Sequence, residues 1–380
     1  MPLSYLKQTI LFPRLICLVS LFLYFSSPSQ ALETVFITGY TTTDGVYTDS
    51  VVLMSNDSGV SWVLQDSVFS EKETRSIAAL NSTNYFAVGG TSVGIGGDPT
   101  GYTFSTTGGA QSVSSGLLQS VDVASGTYYT AGAVNQGTQL FPNYQGTVLK
   151  STDGTNWTTQ VSSGPKLNGI SASDSSVAYA VGDNGTVQKT TNGGTNWSSQ
   201  TTDSNYVLYG VDTVNATTAY AVGKSGSDGV ILKTTDGTNW STTQTISGIP
   251  LNSISVAETN PNVAFAVGDA SIILKTTDGS TWLNSGFSTN IGGGLSSIYA
   301  VSSTKAYAVG VIGSVAKLDG TSWVDISASI PAEYRGYNFT GVSVFTPIPI
   351  PEPSTIILSV VAVSVLAIIQ RIRRIAPKPV

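Results

Sequence analysis

Residues 167–202 read LNGISASDSSVAYAVGDNGTVQKTTNGGTNWSSQTT. Apolar and polar positions alternate over short runs, and clusters of Gly, Asn, Asp and Ser separate the runs. Alternation of period two puts one face of each run into a core, and the clusters supply the turns that reverse the chain. The pattern predicts four strands in this stretch, at 167–173, 177–182, 186–191 and 196–202.

The unit recurs. The six tryptophans are Trp62, Trp157, Trp197, Trp240, Trp282 and Trp323, and the last four intervals are 40, 43, 42 and 41 residues. The first interval, 95 residues, is two periods with one tryptophan missing; Gln111 in FSTTGGAQS takes its place. Four strands per period of about 40 residues predicts a blade of a β-propeller. The glycines that close the second strand are Gly39, Gly89, Gly132, Gly182, Gly223, Gly268 and Gly310, seven in all. The central aliphatics of the first strand also number seven: Ile77, Val121, Ile170, Val211, Ile254, Ile298 and Val342. The two counts are out of step, because the chain enters at a second strand, ETVFITG, and leaves after a first strand, FTGVSVF. The expected fold is therefore an all-β, seven-bladed propeller of four-stranded blades at 32–346. Pairing of the C-terminal strand with the N-terminal blade would close it and remove exposed sheet edges.

A phrase marks each turn between third and fourth strands: KSTDGTNW at 150–157, KTTNGGTNW at 189–197, KTTDGTNW at 233–240, KTTDGSTW at 275–282 and KLDGTSW at 317–323. Its residues are those of a capped turn. Asp or Asn accepts backbone N–H groups, Gly takes a positive φ, and a tryptophan covers the turn. The first copy, Ser55-Asn56-Asp57-Ser58-Gly59-Val60-Ser61-Trp62, resembles the Asp-box of sialidase-type BNR repeats; Asn192 keeps that spacing to Trp197. Asp153, Asp236, Asp278 and Asp319 stand one residue closer to Trp157, Trp240, Trp282 and Trp323. The wider unit resembles the BNR propellers of photosystem II assembly factors, which implies docking to a membrane protein through an arginine-rich face. This propeller region holds only Arg75 and Arg335, so that activity does not carry over. A sialidase needs three arginines for its carboxylate, which excludes that activity too.

Both ends read as addresses. Lys7 and Arg14 precede or open an apolar run at 15–25 that runs on to Ser29-Gln30-Ala31, the order of a secretory signal peptide at 1–31. The run falls short of the roughly 20 residues that span a bilayer. The single cysteine, Cys17, lies within it, so the processed chain is expected to hold no disulfide and no thiolate. At the other end, 347–380, a proline-rich linker leads into an apolar stretch at 356–369 and an arginine cluster. A transmembrane helix is expected there, with its basic end in the cytoplasm. Pro351, Glu352 and Pro353, the apolar stretch, and Arg371, Arg373 and Arg374 in that order resemble the PEP-CTERM sorting signal of bacterial exported proteins. The resemblance implies an exosortase-type membrane peptidase as partner. Residues 375–380 run on past the arginines, further than in many such signals.

Charge and composition then narrow the chemistry. The region 32–346 has 22 acidic and 11 basic residues, a net charge of −11, which disfavours nucleic acid as a partner. There is no histidine, so Ser-His-Asp triads and imidazole metal sites are excluded; no cofactor or metal is expected. A glycosidase needs only two carboxylates. Asp49, Asp98, Asp122, Asp212 and Glu258 are available, and their spacing selects no pair. The Gly-rich GGTSVGIGGDPTG lacks the GK[ST] of a phosphate loop and reads as a long loop.

One asymmetry suggests a binding face. The connections between second and third strands are long in the first three blades: YTTTDGVYTDS, GTSVGIGGDPTG and AVNQGTQLFPNYQG. Tyr47, Asp49, Asp98, Tyr102, Phe141 and Tyr144 lie in or beside them and form a candidate ligand patch. The expectation is an exported, non-catalytic surface or matrix propeller that binds glycan or protein. It would meet the membrane through its C-terminal helix before processing, and end at the cell surface, outer membrane or extracellular matrix. The rival readings are a carboxylate-dependent glycoside hydrolase and an assembly factor for a membrane complex.

Overall fold

The computed structural model describes residues 32–43, 46–70, 72–91, 100–106, 108–114, 116–137, 143–286, 291 and 293–347. They form seven four-stranded antiparallel sheets, and residues 33–346 make one compact unit. Blade 1 is built from both ends of that unit: Asn338–Phe345 pairs with Thr34–Thr43, with Val35 opposite Val344 and Ile37 opposite Val342. The innermost strands of blades 2 to 7 are Glu73–Ala79, Gly116–Ala124, Leu167–Ala172, Tyr206–Thr213, Leu251–Val256 and Leu295–Ser302.

The core lies between blades rather than inside them. Seven hydrophobic clusters each draw on two neighbouring blades. Their largest fully buried side chains are on second strands, where Tyr85, Tyr129, Tyr179, Tyr220, Phe265 and Tyr307 are completely or almost completely buried. A sheet with both faces covered explains why runs such as AYAVG are apolar throughout instead of alternating.

The closing glycines have a separate cause. In every blade the innermost strand carries a β-bulge near its start, seen as a register break between Leu167 and Gly169, Leu208 and Gly210, Leu251 and Ser253, and at the equivalent places elsewhere. The bulge pushes a backbone carbonyl toward the second strand. A Cβ at Gly182 would overlap the Lys166 carbonyl oxygen, and one at Gly223 that of Val207. Only glycine fits beside the bulge.

Two expectations change. The first long connection is not a loop: Thr34–Thr43 and Val46–Ser55 run on as a hairpin, with Thr42 opposite Tyr47 and Thr43 opposite Val46. The β-branched threonines continue the ladder where a loop was expected. The third connection is likewise shortened, since Asn135 pairs with Tyr144. No helix among the described residues is long and apolar enough to cross a membrane. The signal segment and the tail, with Pro351, Glu352, Pro353, Arg371, Arg373 and Arg374, lie outside the described residues.

Candidate functional site

The repeated turn phrase joins blades. In blade 5, Thr234 Oγ1 accepts the Gly237 N–H at 2.9 Å, and Asp236 Oδ1 accepts those of Thr238 and Asn239 at 2.8 and 2.7 Å. Lys233 Nζ reaches across to the Gly279 carbonyl of blade 6 at 2.9 Å. Trp240 meets Tyr179 of blade 4 edge-on, with ring centroids 5.9 Å apart at 83°. Asp153 and Asp278 repeat the capping, and Trp157, Trp197, Trp282 and Trp323 repeat the contact with the preceding blade. Asn192 caps with its amide oxygen, accepting from Asn196 at 2.9 Å. In the first copy Ser55 accepts the Gly59 N–H at 2.7 Å, and Asp57 accepts that of Ser61 at 2.9 Å. Trp62 is buried among residues of blades 7 and 1. Asp319 departs, since its turn is a tight hairpin in which it pairs directly with Ser322. The capping oxygens of Asp57, Asp153, Asn192, Asp236 and Asp278 are spent on their own turns. The tryptophan rings pack on the preceding blade, with the indole N–H groups of Trp157, Trp197 and Trp282 buried without a partner among the described residues.

The channel along the ring axis is different. The bulged positions are Arg75, Gln119, Asn168, Tyr209, Asn252, Ser296 and Thr340, one from each blade, and all seven line one cavity of about 370 Å³. The next position is always Ser or Gly, where inner strands crowd together: Ser120 accepts the Ile170 N–H, and a Cβ on Gly169 would approach the Tyr209 carbonyl to 2.8 Å. The following ring is the aliphatic set of the sequence pattern, of which Ile170, Val211 and Ile254 floor the cavity. Strand register places this mouth on the side of the connections between second and third strands, opposite the capped turns.

Several mouth residues are fixed by a second bond. Asn168 Nδ2 donates to Asp183 at 2.9 Å and to the Leu208 carbonyl at 3.0 Å; Asn252 Nδ2 donates to Asp269 at 3.1 Å and the Leu295 carbonyl at 2.9 Å. Arg75 Nη2 donates to Glu73 at 2.6 Å and Nη1 to Gln119 Oε1 at 3.2 Å. Burial pushes the Lys166 ammonium below its ordinary range, against the opposing pull of Asp183.

At the opposite mouth a cavity of about 280 Å³ is lined by Asp122, Asp212, Glu258 and Tyr299. The fold thus brings together three of the five carboxylates considered for hydrolysis. Asp122 accepts the N–H groups of Val123 and, in the next blade, Ala172, both at 2.8 Å. Asp212 accepts those of Thr213 and, in the next blade, Val256, both at 2.7 Å. Ser171, Ser255 and Ser343 occupy the same ring and accept N–H groups in the same way. Protein surrounds both aspartates, although each still touches the cavity. Burial, with Asp122 nearby, pushes Asp212 up to about 7. Tyr299 donates to the exposed Glu258 at 2.6 Å. All four oxygens of the aspartate pair hold backbone donors, so the pair rivets blades rather than offering a free acid and base.

Of the sequence-derived ligand patch, Asp49 and Tyr144 are exposed, and Tyr102 lies beneath Lys72, whose Nζ is 3.9 Å from the ring centroid. Tyr47 and Tyr102 are second, and Tyr144 first, in the third strands Val46–Ser55, Gly101–Ser105 and Tyr144–Ser151. Asp98 and Phe141 lie outside the described residues. The bulge ring escaped the sequence reading, yet it has a signature. Leu-Asn-Gly-Ile, Leu-Tyr-Gly-Val, Leu-Asn-Ser-Ile and Leu-Gln-Ser-Val place one extra residue between an apolar and a small position, and Thr-Arg-Ser-Ile does the same after a buried threonine.

No protein-family model and no curated protein matches the chain. Among solved structures it is similar in fold to YCF48 bound to D1 peptide, at 15% identity and a TM-score of 0.52, over 77% of this chain and 99% of that one. YCF48 from Cyanidioschyzon merolae gives 13% and 0.51, over 77% and 97%. The GH74 enzyme of Niastella koreensis gives 16% and 0.51 over 77% of this chain, which spans about half of that enzyme, 55%. At these identities the likeness is one of fold, and the chain is a seven-bladed β-propeller.

Proposed function

We propose that this is an exported, non-catalytic binding protein of a bacterial cell surface or matrix, whose ligand enters the channel mouth ringed by the bulges. One observation carries the reading. From repeat to repeat the positions around the bulge keep their type, while the bulged residue itself runs through Arg, Gln, Asn, Tyr, Asn, Ser and Thr. The repeat does not fix the identity of that side chain, although Asn168, Asn252 and Thr340 each also bond a carbonyl of the next blade, and it faces a cavity within the size range of ligand sites. Export rests on the two ends, and the PEP-CTERM-like tail is the substrate of an exosortase-type peptidase.

Glycan and protein are the two ligand classes. The bound peptide of YCF48 makes a peptide worth testing. Hydrolysis has less support, because Asp122 and Asp212 are committed to backbone donors. The test is a glycan array and a peptide array probed with residues 33–346, with reducing-sugar release measured on every glycan hit. Binding without release is the expected result; release of reducing ends at a turnover rate would make the protein a hydrolase. For the tail, intact mass of protein recovered from the cell surface should lack residues 356–380. A mass that retains them would reduce the tail to an anchor.

A further inference from the structure

The mouth can be read group by group. Asn168 and Asn252 each commit both amide hydrogens to protein acceptors, which fixes the flip of the amide and leaves each Oδ1 as an acceptor. Gln119 is turned the other way: its Oε1 accepts from Arg75, and its Nε2 is buried with no partner among the described residues. Lys166 adds an ammonium and Tyr209 a hydroxyl, and neither makes a hydrogen bond among the described residues. Donors and acceptors therefore interleave around the axis, contributed by consecutive blades.

A carboxylate or phosphate uses donors alone and would leave both amide oxygens facing like charge. The net charge of −11 also repels acidic polymers at long range. A peptide presents its N–H and C=O groups along a line, whereas these groups stand around a circle with an aliphatic floor of Ile170, Val211 and Ile254. A pyranose matches that plan, because its hydroxyls radiate from a ring, each able to donate and accept, while its C–H face rests on apolar surface.

We infer that the bulge-ringed mouth takes the terminal residue of an uncharged glycan end-on, with Asn168 and Asn252 accepting from its hydroxyls and Gln119, Lys166 and Tyr209 donating to them. The inference rests on the proposed binding function and names the ligand class of that same site.

The test uses residues 33–346, whose seven sheets and clusters are internal to that unit. Calorimetric titration compares neutral hexose and pentose oligosaccharides, oligogalacturonate and the best peptides from an array. It is run on the wild type and on the double variant Lys166→Met, Tyr209→Phe. Neutral oligosaccharides should bind, and the double variant should weaken them at least about tenfold, as loss of a charge-assisted hydrogen bond requires, with melting unchanged. Tighter binding of oligogalacturonate or of peptide, lost in the double variant, overturns the sugar assignment and leaves the mouth as the site. A ligand of any class bound equally by the folded double variant overturns the mouth itself. Failure of every neutral oligosaccharide at millimolar concentration also overturns the inference.

Discussion

Tyr307 donates its hydroxyl hydrogen to Glu33 at 2.8 Å, across the seam where the last blade meets the first. Lys305 Nζ stands 2.9 Å from the other oxygen of the same carboxylate, whose side chain is 2% exposed. Between blades 1 and 2 Tyr85 likewise donates to a carboxylate, Asp66, at 2.6 Å, whereas Tyr179 bonds the Ala216 carbonyl at 2.9 Å. The seam adds a lysine to its carboxylate. Glu33→Ala should cost about 2–3 kcal/mol, less than a fully buried pair because Lys305 retains water contact. Urea denaturation measures it, and a midpoint equal to wild type would show the carboxylate to be dispensable.

Deleting 339–345 removes the innermost strand of blade 1 and leaves the partner edge of Thr34–Thr43 unpaired. Open edges associate, so the truncated chain should aggregate or melt far below the intact ring. Light scattering decides it; a monomer with unchanged melting would mean the seam does not hold the ring.

The Asp212 carboxyl predicts an unusual pH profile. Burial, the largest cause, raises its folded-state pKa to about 7 from 3.8. The folded state therefore binds the proton more tightly than the unfolded one. That contribution to stability is complete below about pH 4 and is lost as pH rises through 7. The ring should be more stable at pH 5 than at pH 8 by on the order of 2 kcal/mol. Asp153, Asp236 and Asp278 shift the opposite way, held down by hydrogen bonds from Asn156, Asn239 and Thr281. Their contribution is lost only as pH falls below the ordinary carboxylate range, so the two windows do not overlap. Melting of Asp212→Asn between pH 5 and 8 should be flatter than wild type; an equal slope would assign the dependence elsewhere.

Ile312 holds a φ of 54° and is 65% exposed. The corresponding tight connection in blade 4 has Asn184 at 55°. A β-branched residue in the left-handed region is strained, and little burial offsets it. Ile312→Asn should stabilise the ring by about 1 kcal/mol, read from the urea midpoint. A lower midpoint would reveal packing that the exposure conceals.

Asp236→Asn should fold almost as well as wild type, because Asn192 already caps the same turn in blade 4. Asp236→Ala removes the acceptor of the Thr238 and Asn239 N–H groups and should melt below both wild type and Asp236→Asn. Equal melting of the two variants would show that water replaces the cap.

Repetition made the fold legible. A tryptophan, a closing glycine and a central aliphatic recurring about every 40 residues fix blade number and the split first blade, because each repeat buries its apolar faces only against neighbours. The turn phrase was legible for the same reason, since capping is local chemistry among residues three or four apart. What only the tertiary structure decided lies around the axis. Asp122 and Asp212 are 90 positions apart in sequence and share one ring, and Arg75 through Thr340 meet at one mouth. A bulge shifts the strand by one residue and reverses which side chains face the channel. Alternation read along a strand cannot show that shift, because it becomes visible only against the partner strand and its glycine.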